Sequence, residues 1–515
     1  MRECGMLLPV ASLPSKYGIG AFSKEAYGFI DTLKKAGQHY WQILPLGPTS
    51  YGDSPYQSFS AFAGNPYFIN LDRLVEEGLL TEAECTAADF GDNPRKIDFG
   101  KLYLNRFPLL RRAYGRWKEK GHTAAEAKGR LWPETVEYCF YMAVKNRYEG
   151  RTWTLWDKDI RLRKQEAMEA LQHELADETG FYAFLQMKFE EQWSALKSYA
   201  NEKGIRIIGD IPIYVALDSA DTWYHPELFQ LDEDRNPVAV AGCPPDGFSA
   251  TGQLWGNPLY LWEYHGETGY EWWMRRMEYS FRMYDVVRVD HFRGFDEYYS
   301  IPAGSHTAVH GTWRKGPGMD IFRKMQEKFG KLNIIAEDLG FLTPSVLKLV
   351  KKSGFPGMKV LQFAFDPREE SDYLPHNYKK HSVVYTGTHD NDTAAGWFKT
   401  APRECVNFAK KYLNLTKEEG YHWGMMRGAW ASVSDLAIVP MQDILGLGSA
   451  ARMNTPSTLG CNWKWRAAPD QITPKLAAKV RKYMKMYGRE RIAEPDHKQA
   501  KRSAKKKKKK KKEKS

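Results

Sequence analysis

The stretch YDVVRVD, residues 284–290, sets the pattern from which the fold of this chain is predicted. Valine favours β-structure, and a run of such residues is typical of a strand that is buried on both faces. Side chains alternate along a strand, so Arg288 and Asp290 share one face, with Asp290 at the end of the run. We therefore predict a buried strand whose last residue presents a carboxylate to the space above the sheet.

Seven more apolar runs of this kind occur, and segments of helical periodicity separate them. The predicted strands are 6–12, 40–46, 205–211, 284–290, 333–339, 359–365, 382–388 and 436–442. The predicted helices include 25–36, 106–118, 134–146, 160–178, 181–200, 474–487 and one that begins at Thr343 and Pro344. Eight strands alternating with helices are typical of the α/β class and predict a (β/α)8 (TIM) barrel. A doubly wound open sheet is the alternative, which is less favoured because no GxGxxG motif follows the first strand.

The predicted strands are unevenly spaced, which indicates large insertions after barrel strands. Residues 51–200 are predicted to form an inserted, mostly helical subdomain, because this separation is too long for one crossover helix. Residues 212–283 and 291–332 are predicted to be loop-rich insertions, and long loops after barrel strands form the catalytic face. We expect a single catalytic domain over residues 1–500, without a separate C-terminal β-domain.

The composition excludes several classes of function. The formal net charge of +12 comes mainly from the lysine-rich residues 501–515, which we expect to be a disordered, solvated tail. The remaining body is nearly neutral, so no nucleic-acid-binding face is predicted for it. No apolar run is long enough to span a membrane, and no secretory leader is recognisable. The six cysteines show neither zinc-site nor disulfide spacing, which favours reduced thiols and a cytoplasmic location.

Glu337 and Asp390 also follow apolar strand runs, and together with Asp290 they suggest acid–base chemistry. An arginine two residues before Asp290 is expected to lower the pKa of Asp290, and a fixed, ionised carboxylate is a nucleophile for an anomeric carbon. Glu337 ends the run 333–336, where a partly apolar setting raises a carboxyl pKa toward that of a general acid. Asp338 is expected to cap a helix or accept loop hydrogen bonds instead. A structural ion pair at a sheet end is the competing interpretation for Arg288 and Asp290.

Asp390 follows the run 382–388 and lies beside His389. A third carboxylate near two others is costly unless it binds hydroxyl groups, so we predict that Asp390 holds sugar hydroxyls and assists substrate distortion. His389 would donate to the same hydroxyls. Each motif is weak by itself, but their order on successive strands predicts a site that breaks glycosidic bonds.

At this point the chain closely resembles the 4-α-glucanotransferases, also called amylomaltases or disproportionating enzymes. These form glycoside hydrolase family 77, in the α-amylase clan of retaining glycosidases. The resemblance covers about residues 5–465 and is carried by long, specific strings. They are SLPSKYGIG at 12–20, QILPLGP at 42–48, SPYQ at 54–57, GDIPIY at 209–214, PPD at 244–246 continuing to GNP at 256–258, RVDHFRG at 288–294 and MNTP at 453–456.

The resemblance implies a role for each matching residue. Asp290 matches the nucleophile, Glu337 the general acid/base and Asp390 the carboxylate that stabilises the transition state. Further matches are expected to bind substrate: Arg288, His389, Tyr56 and Asp210 in the donor subsite, and Trp255 and Asn454 in two loops that fold over the cleft. No metal and no other cofactor is implied. Tyr51 and Tyr103 are additional candidates for a second glucan-binding groove, and Ser457 departs from the glycine usual in the family.

The implied activity is transfer of an α-1,4-glucan segment to the 4-hydroxyl of an acceptor glucose or glucan. The expected partners are α-1,4-glucans and malto-oligosaccharides, and the expected route is a retaining double displacement through a covalent glycosyl-enzyme. Two alternatives remain open, since shared folds do not guarantee a shared activity. One is an α-1,4-glucan hydrolase of the α-amylase type, and the other is a glycan-binding protein that has lost catalysis.

Overall fold

The computed structural model of the chain describes residues 2–245, 249–340 and 342–490. The lysine-rich segment 501–515, predicted to be disordered, lies outside these residues. Twelve strands are found within the described ranges. They are β1 (Glu3–Leu7), β2 (Tyr40–Gln42), β3 (Arg206–Pro212), β4 (Ala239–Cys243), β5 (Gln253–Pro258), β6 (Val286–Asp290), β7 (Glu297–Pro302), β8 (Thr312–Lys315), β9 (Ile334–Ala336), β10 (Gly357–Val360), β11 (Ser382–Tyr385) and β12 (Leu436–Pro440).

Eight of these strands form a closed parallel barrel, in the order β1-β12-β11-β10-β9-β6-β3-β2. Closure occurs where β1 pairs with β12, with Glu3 opposite Leu436, and also with β2 on its other side. The eight-stranded barrel prediction is confirmed, and the open doubly wound sheet is excluded because each of the eight strands is paired on both sides. All carboxyl ends of the strands therefore lie on one rim.

Each predicted barrel strand overlaps an observed one, but most predictions extend too far. The first strand is Glu3–Leu7 rather than 6–12, and Val10–Ser12 forms a 3₁₀ turn. Likewise β10 ends at Val360, and Leu361–Phe363 is a 3₁₀ turn. The cause is the same in both places: residues such as Val10 and Leu361 are buried by packing and not by strand pairing. Apolar runs alone do not separate these two kinds of burial.

Nineteen α-helices surround and cover the barrel in the described part of the chain. They are α1 (Lys24–Lys35), α2 (Leu71–Glu76), α3 (Glu82–Ala87), α4 (Phe99–Glu119), α5 (Ala124–Lys128), α6 (Pro133–Arg147), α7 (Lys158–Arg161), α8 (Gln165–Glu174), α9 (Ala176–Glu202), α10 (Ala220–Tyr224), α11 (Trp262–Glu267), α12 (Glu271–Met283), α13 (Met319–Phe329), α14 (Pro344–Ser353), α15 (Ala394–Thr400), α16 (Arg403–Tyr412), α17 (Tyr421–Ala431), α18 (Met441–Ile444) and α19 (Pro474–Met486). None of the helices in residues 2–245, 249–340 and 342–490 is long and apolar enough to cross a membrane.

Helices α2 to α9 lie between β2 and β3, where the sequence predicts a helical insertion, and the exact extent of that subdomain stays a prediction. The single helix predicted over 160–178 is wrong. It is divided into α7, α8 and the first turn of α9. Arg163, two residues beyond the end of α7, adopts a left-handed conformation with φ 55°, which separates α7 from α8. A left-handed residue ends an α-helix, whatever the periodicity that follows.

The two segments predicted as loop-rich contribute to a second sheet, which is a correction to that prediction. Strands β4 and β5 come from the insertion after β3, and β7 and β8 come from the insertion after β6. They pair antiparallel in the order β5-β4-β7-β8. The sheet is part of the barrel's loop layer, not a separate domain. Its strands are only four to six residues long, and polar, small or exposed positions interrupt any apolar alternation, so the sequence does not predict them.

Candidate active site

Three carboxylates lie at the carboxyl ends of barrel strands. Asp290 is the last residue of β6, Glu337 directly follows β9, and Asp390 lies five residues beyond β11. Their charges act on one another, because Asp390 raises the pKa of Asp290 and Asp290 raises that of Glu337. The side chains of Asp290 and Asp390 are 29% and 42% exposed. All three therefore meet at one solvent-accessible rim of the barrel.

A buried arginine orients the first carboxylate. Asp210 of β3 and Arg288 of β6 are paired in register, and both side chains are almost completely buried. Arg288 Nη1 donates to both carboxylate oxygens of Asp210, at 2.8 and 2.7 Å, and to Asp290 Oδ1 at 3.0 Å. Charge-assisted bonds of this kind fix geometry as well as contributing energy. Asp290 is thus held by a cation that a second carboxylate already anchors.

The pKa of Asp290 differs from the sequence-based prediction. Arg288 lowers this pKa, as expected, but burial raises it more strongly, and the net result is a pKa of about 6. The prediction of a lowered pKa is therefore wrong, because removing the carboxylate from water outweighs its single bond to Arg288. At neutral pH Asp290 is still mainly ionised.

The pKa of Glu337 is raised further above its ordinary value than that of Asp290. Burial, together with a smaller contribution from the charge of Asp290, raises the pKa of Glu337 to about 8. Its two oxygens accept hydrogen bonds from the backbone N–H groups of His291, at 2.7 Å, and Leu339, at 2.9 Å. His291 has a left-handed backbone, with φ 53°. The neighbouring Asp338 accepts from Met358 N at 2.6 Å, so it is a loop hydrogen-bond acceptor, as expected.

Aromatic rings form one wall beside the carboxylates. Tyr56 stacks on His389, with ring centroids 5.0 Å apart and an interplanar angle of 18°. The Tyr56 hydroxyl donates to Asp210 Oδ2 at 2.9 Å. Trp463, which the sequence analysis missed, places its ring 5.8 Å from Tyr56 and 5.9 Å from His389. Tyr56 is separated from His389 by 333 positions in the chain, so no local sequence signal links the rings.

Asp390 is held by the segment that follows α18 and by its neighbour His389. Asn454 Nδ2 donates to Asp390 Oδ1 at 2.6 Å, and His389 Nε2 lies 3.3 Å from Asp390 Oδ2. The backbone N–H of Asn454 donates to the His389 carbonyl at 3.0 Å. Arg452, also missed from the sequence, donates to the Asp390 carbonyl and to Asn454 O. The predicted residues Asn454, His389 and Asp390 are therefore in direct contact.

Trp255 reaches the site through His291. It lies on β5, and its ring meets the His291 ring edge-on at 4.8 Å and 86°. Burial lowers the pKa of His291 to about 3, so the imidazole is neutral. The second sheet thus contacts the residue whose N–H binds Glu337.

Three other residues singled out from the sequence, Ser457, Tyr103 and Tyr51, make no described contact with the three carboxylates. Ser457 adopts φ 62°, a conformation that favours glycine, so the backbone geometry of a glycine is retained at this position. Tyr103 is an exposed residue of α4 and contacts Phe107, not the carboxylates. The side chain of Tyr51 lies outside what the structure describes.

A closed (β/α)8 barrel with three interacting carboxylates on its catalytic rim defines the class of barrel enzymes that act on glycosidic bonds. Within that class, the chain belongs to the 4-α-glucanotransferase family, glycoside hydrolase family 77, whose family model matches residues 8–472.

Relatives support this assignment over nearly the whole chain. A 4-α-glucanotransferase of Clostridium butyricum is 50% identical over 485 residues, which is 93% of this chain and 99% of that protein. The Thermus thermophilus 4-α-glucanotransferase is 47% identical and covers 93% of this chain and 97% of its own length. The structure of the Streptococcus agalactiae amylomaltase in complex with acarbose superposes with a TM-score of 0.93 at 40% identity, covering 95% and 100% of the two chains.

Proposed function

We propose that the protein transfers a segment of an α-1,4-glucan to the 4-hydroxyl of an acceptor glucose or glucan, by a retaining double displacement. The observation that carries this proposal is the meeting of two held carboxyls at one rim: Arg288 orients Asp290, and two backbone N–H groups orient Glu337. With pKa values of about 6 and about 8, Asp290 is ionised and Glu337 is protonated at neutral pH. A nucleophile and a general acid are then available at the same time.

In the first half-reaction, the Asp290 carboxylate attacks the anomeric carbon while Glu337 donates its proton to the glycosidic oxygen. The bond to the leaving fragment breaks, and a covalent glycosyl-enzyme forms. Arg288 keeps one oxygen of Asp290 fixed at 3.0 Å and leaves the other for attack. Loss of negative charge from Asp290 in this step lowers the pKa of Glu337 and prepares it to act as a base.

In the second half-reaction, Glu337 accepts the proton of the acceptor 4-hydroxyl, whose oxygen displaces Asp290. Two inversions give net retention of configuration. We assign Asp390, oriented by Asn454, to the hydroxyls of the reacting glucose. Tyr56 and His389 complete the donor subsite as a stacked pair of rings beside the sugar. Asp210 and Arg288, predicted to bind substrate directly, are buried, so they support the subsite by orienting Asp290 and the Tyr56 hydroxyl.

The substrates follow from the family. The relatives are named 4-α-glucanotransferases, and one related structure is a complex with acarbose. We propose malto-oligosaccharides and α-1,4-glucans as both donor and acceptor. We also propose a cytoplasmic location, for which the support is that all six cysteines are free thiols and four of them are buried.

Transfer instead of hydrolysis requires that a sugar hydroxyl reach the glycosyl-enzyme before water does. Trp255 of the second sheet contacts His291, and Asn454 binds Asp390. We propose that these two segments limit the access of water to the carboxylates when a glucan is bound. The test is incubation of the pure protein with maltotriose, followed by separation of products by chain length. Transfer predicts glucose together with malto-oligosaccharides longer than the substrate. If only shorter products form, the protein is a hydrolase, and if none form, it is a glycan-binding protein.

The two pKa values also predict the pH dependence of activity. Asp290 must lose its proton and Glu337 must keep its own, so kcat/KM is expected to fall below a pH of about 6 and above a pH of about 8. The two limbs belong to the interacting pair, not to either residue alone. Initial rates of glucose release from maltotriose at low substrate concentration measure this profile. A rate that keeps rising at alkaline pH would contradict the assignment of Glu337 as the acid.

A further inference from the structure

One buried side chain, Asn462, closes the loop formed by residues 454–463, which we call the Asn454 loop. Asn462 Oδ1 accepts from the backbone N–H of Thr455 at 3.0 Å. Its Nδ2 donates to the Thr458 carbonyl at 2.8 Å, to the Thr458 hydroxyl at 3.1 Å and to the Thr455 carbonyl at 3.4 Å. Asn462 is only 9% exposed, whereas residues 457–461 are exposed. The carboxamide therefore joins both limbs of an otherwise solvated loop.

The two ends of the Asn454 loop carry groups that contact the candidate active site. At its start, Asn454 binds Asp390 at 2.6 Å. At its end, the backbone N–H of Trp463 donates to the Met453 carbonyl at 2.8 Å, and the Trp463 ring contacts Tyr56 and His389. Asn462 is the neighbour of Trp463 and is bonded to Thr455, the neighbour of Asn454. Asn462 is therefore linked to Trp463 through the chain and to Asn454 through its hydrogen bond with Thr455.

The position of the Asn454 carboxamide depends on backbone anchors on both of its sides. On the amino side, the Asn454 N–H is bonded to the His389 carbonyl. On the carboxyl side, Arg452 donates to the Asn454 carbonyl at 2.7 Å, and Asn462 binds the next backbone N–H, that of Thr455. An exposed loop keeps one conformation only when such bonds outweigh the entropy of the free segment. Ser457 makes a single loop conformation harder to maintain, because its left-handed backbone is strained for a residue with a side chain.

We propose that Asn462 is a positioning residue for the transfer reaction, which acts through Asn454 and Trp463 on Asp390 and His389. The proposal rests on the function proposed above. Asn462 does not touch the sugar. It holds the loop in the conformation in which Asn454 fixes one oxygen of Asp390 and Trp463 supports the stacked pair of Tyr56 and His389.

The test compares kcat and KM of maltotriose transfer for Asn462→Ala, Asn454→Ala and the double variant. Asn462→Ala is expected to lower kcat/KM about 10²-fold, mostly through kcat, because small displacements of an aligned group are costly. The part of the loss that passes through Asn454 cannot be lost twice, so the double variant should lose less than the product of the two single losses. Asn462→Asp, which keeps the volume and the bond from Thr455 but loses the amide donor, is a second variant with an intermediate loss.

Asn201→Ala is the matched control. The Asn201 amide likewise donates to a loop carbonyl, that of Ile205 at 3.1 Å, and to the Asp285 side chain at 2.8 Å, but it lies at the amino-terminal rim of the barrel. This variant is expected to lose thermal stability and keep its kcat/KM. The proposal is overturned if both Asn462 variants retain wild-type kcat/KM, if Asn201→Ala loses as much, or if the losses at positions 454 and 462 multiply. Failure of the wild-type protein to transfer would instead refute the proposed function.

Discussion

Replacing Asp290 by Asn is expected to abolish transfer while leaving the fold intact. A neutral amide cannot form the glycosyl-enzyme, so activity on maltotriose should fall by about 10⁴-fold or more, as when a nucleophile is removed from other enzymes. The amide oxygen still accepts the bond from Arg288, and Asp210 still pairs with that guanidinium through two contacts. Initial rates with purified protein, alongside thermal unfolding, measure both parts of the prediction.

The stability of this variant has a predictable sign. Folding raises the pKa of Asp290, so the folded wild-type protein binds this proton more tightly than the unfolded chain does. The carboxyl therefore reduces the free energy of unfolding as pH rises from about 4 to about 6, and the reduction persists above that range. An amide at this position does not titrate, so the unfolding temperature of the variant relative to wild type should be higher at about pH 8 than at about pH 4.

The control for this variant is Asp285→Asn, directly before the opposite end of the same strand. Asp285 accepts from the backbone of Ile207 at 2.7 Å and from Asn201 at 2.8 Å, both at the amino-terminal rim. Its loss should reduce stability and spare activity. If Asp290→Asn retained turnover, or if both variants lost activity equally, Asp290 would not be the nucleophile.

The sequence predicts the barrel well because its strands are buried on both faces. The run 436–442 is largely apolar, other runs have a β-branched or apolar centre, and the eight runs alternate with amphipathic helices. The strand ends are less predictable. Val10 and Leu361 are as deeply buried as strand residues, but they lie in 3₁₀ turns.

The second sheet is the largest feature that the sequence does not reveal. Strand β4 pairs with β7, whose first residue comes more than fifty positions later in the chain. Pairing across that distance has no signature in either segment. Strand β8 is exposed at every position, so it shows no apolar alternation at all.

The site is predictable where residues lie at strand ends and unpredictable where loops meet them. Asp210, Arg288 and Asp290 are recognisable because they interrupt or end apolar runs. Trp463, Arg452 and Asn462 approach from a loop near the end of the chain, and their contacts depend on how that loop closes. The pKa of Asp290 is also hard to predict from sequence. Arg288 is recognisable two residues before it, but burial, which the sequence does not show, sets the direction of the pKa shift.

Replacing Glu337 by Gln is expected to separate the two chemical steps. With maltotriose, which needs a proton on its leaving oxygen, activity should fall by about 10²- to 10⁴-fold, the usual contribution of a general acid. With an α-maltosyl fluoride donor, fluoride departs without protonation, so Asp290 should still form the glycosyl-enzyme. The intermediate should then accumulate, because no base remains to activate the acceptor hydroxyl, and intact-protein mass spectrometry would detect it.

Two further measurements decide the role of Glu337. Azide is nucleophilic without a base, so it should release the accumulated intermediate as a glycosyl azide of retained configuration. Asp338→Asn is the matched control, since its amide oxygen can still accept from Met358, and it should show wild-type preference between the two donors. Equal losses on maltotriose and on the fluoride would place the function of Glu337 in substrate binding rather than in proton transfer. A larger loss on maltotriose than on the fluoride therefore identifies Glu337 as the acid, because only maltotriose needs a proton on its leaving group.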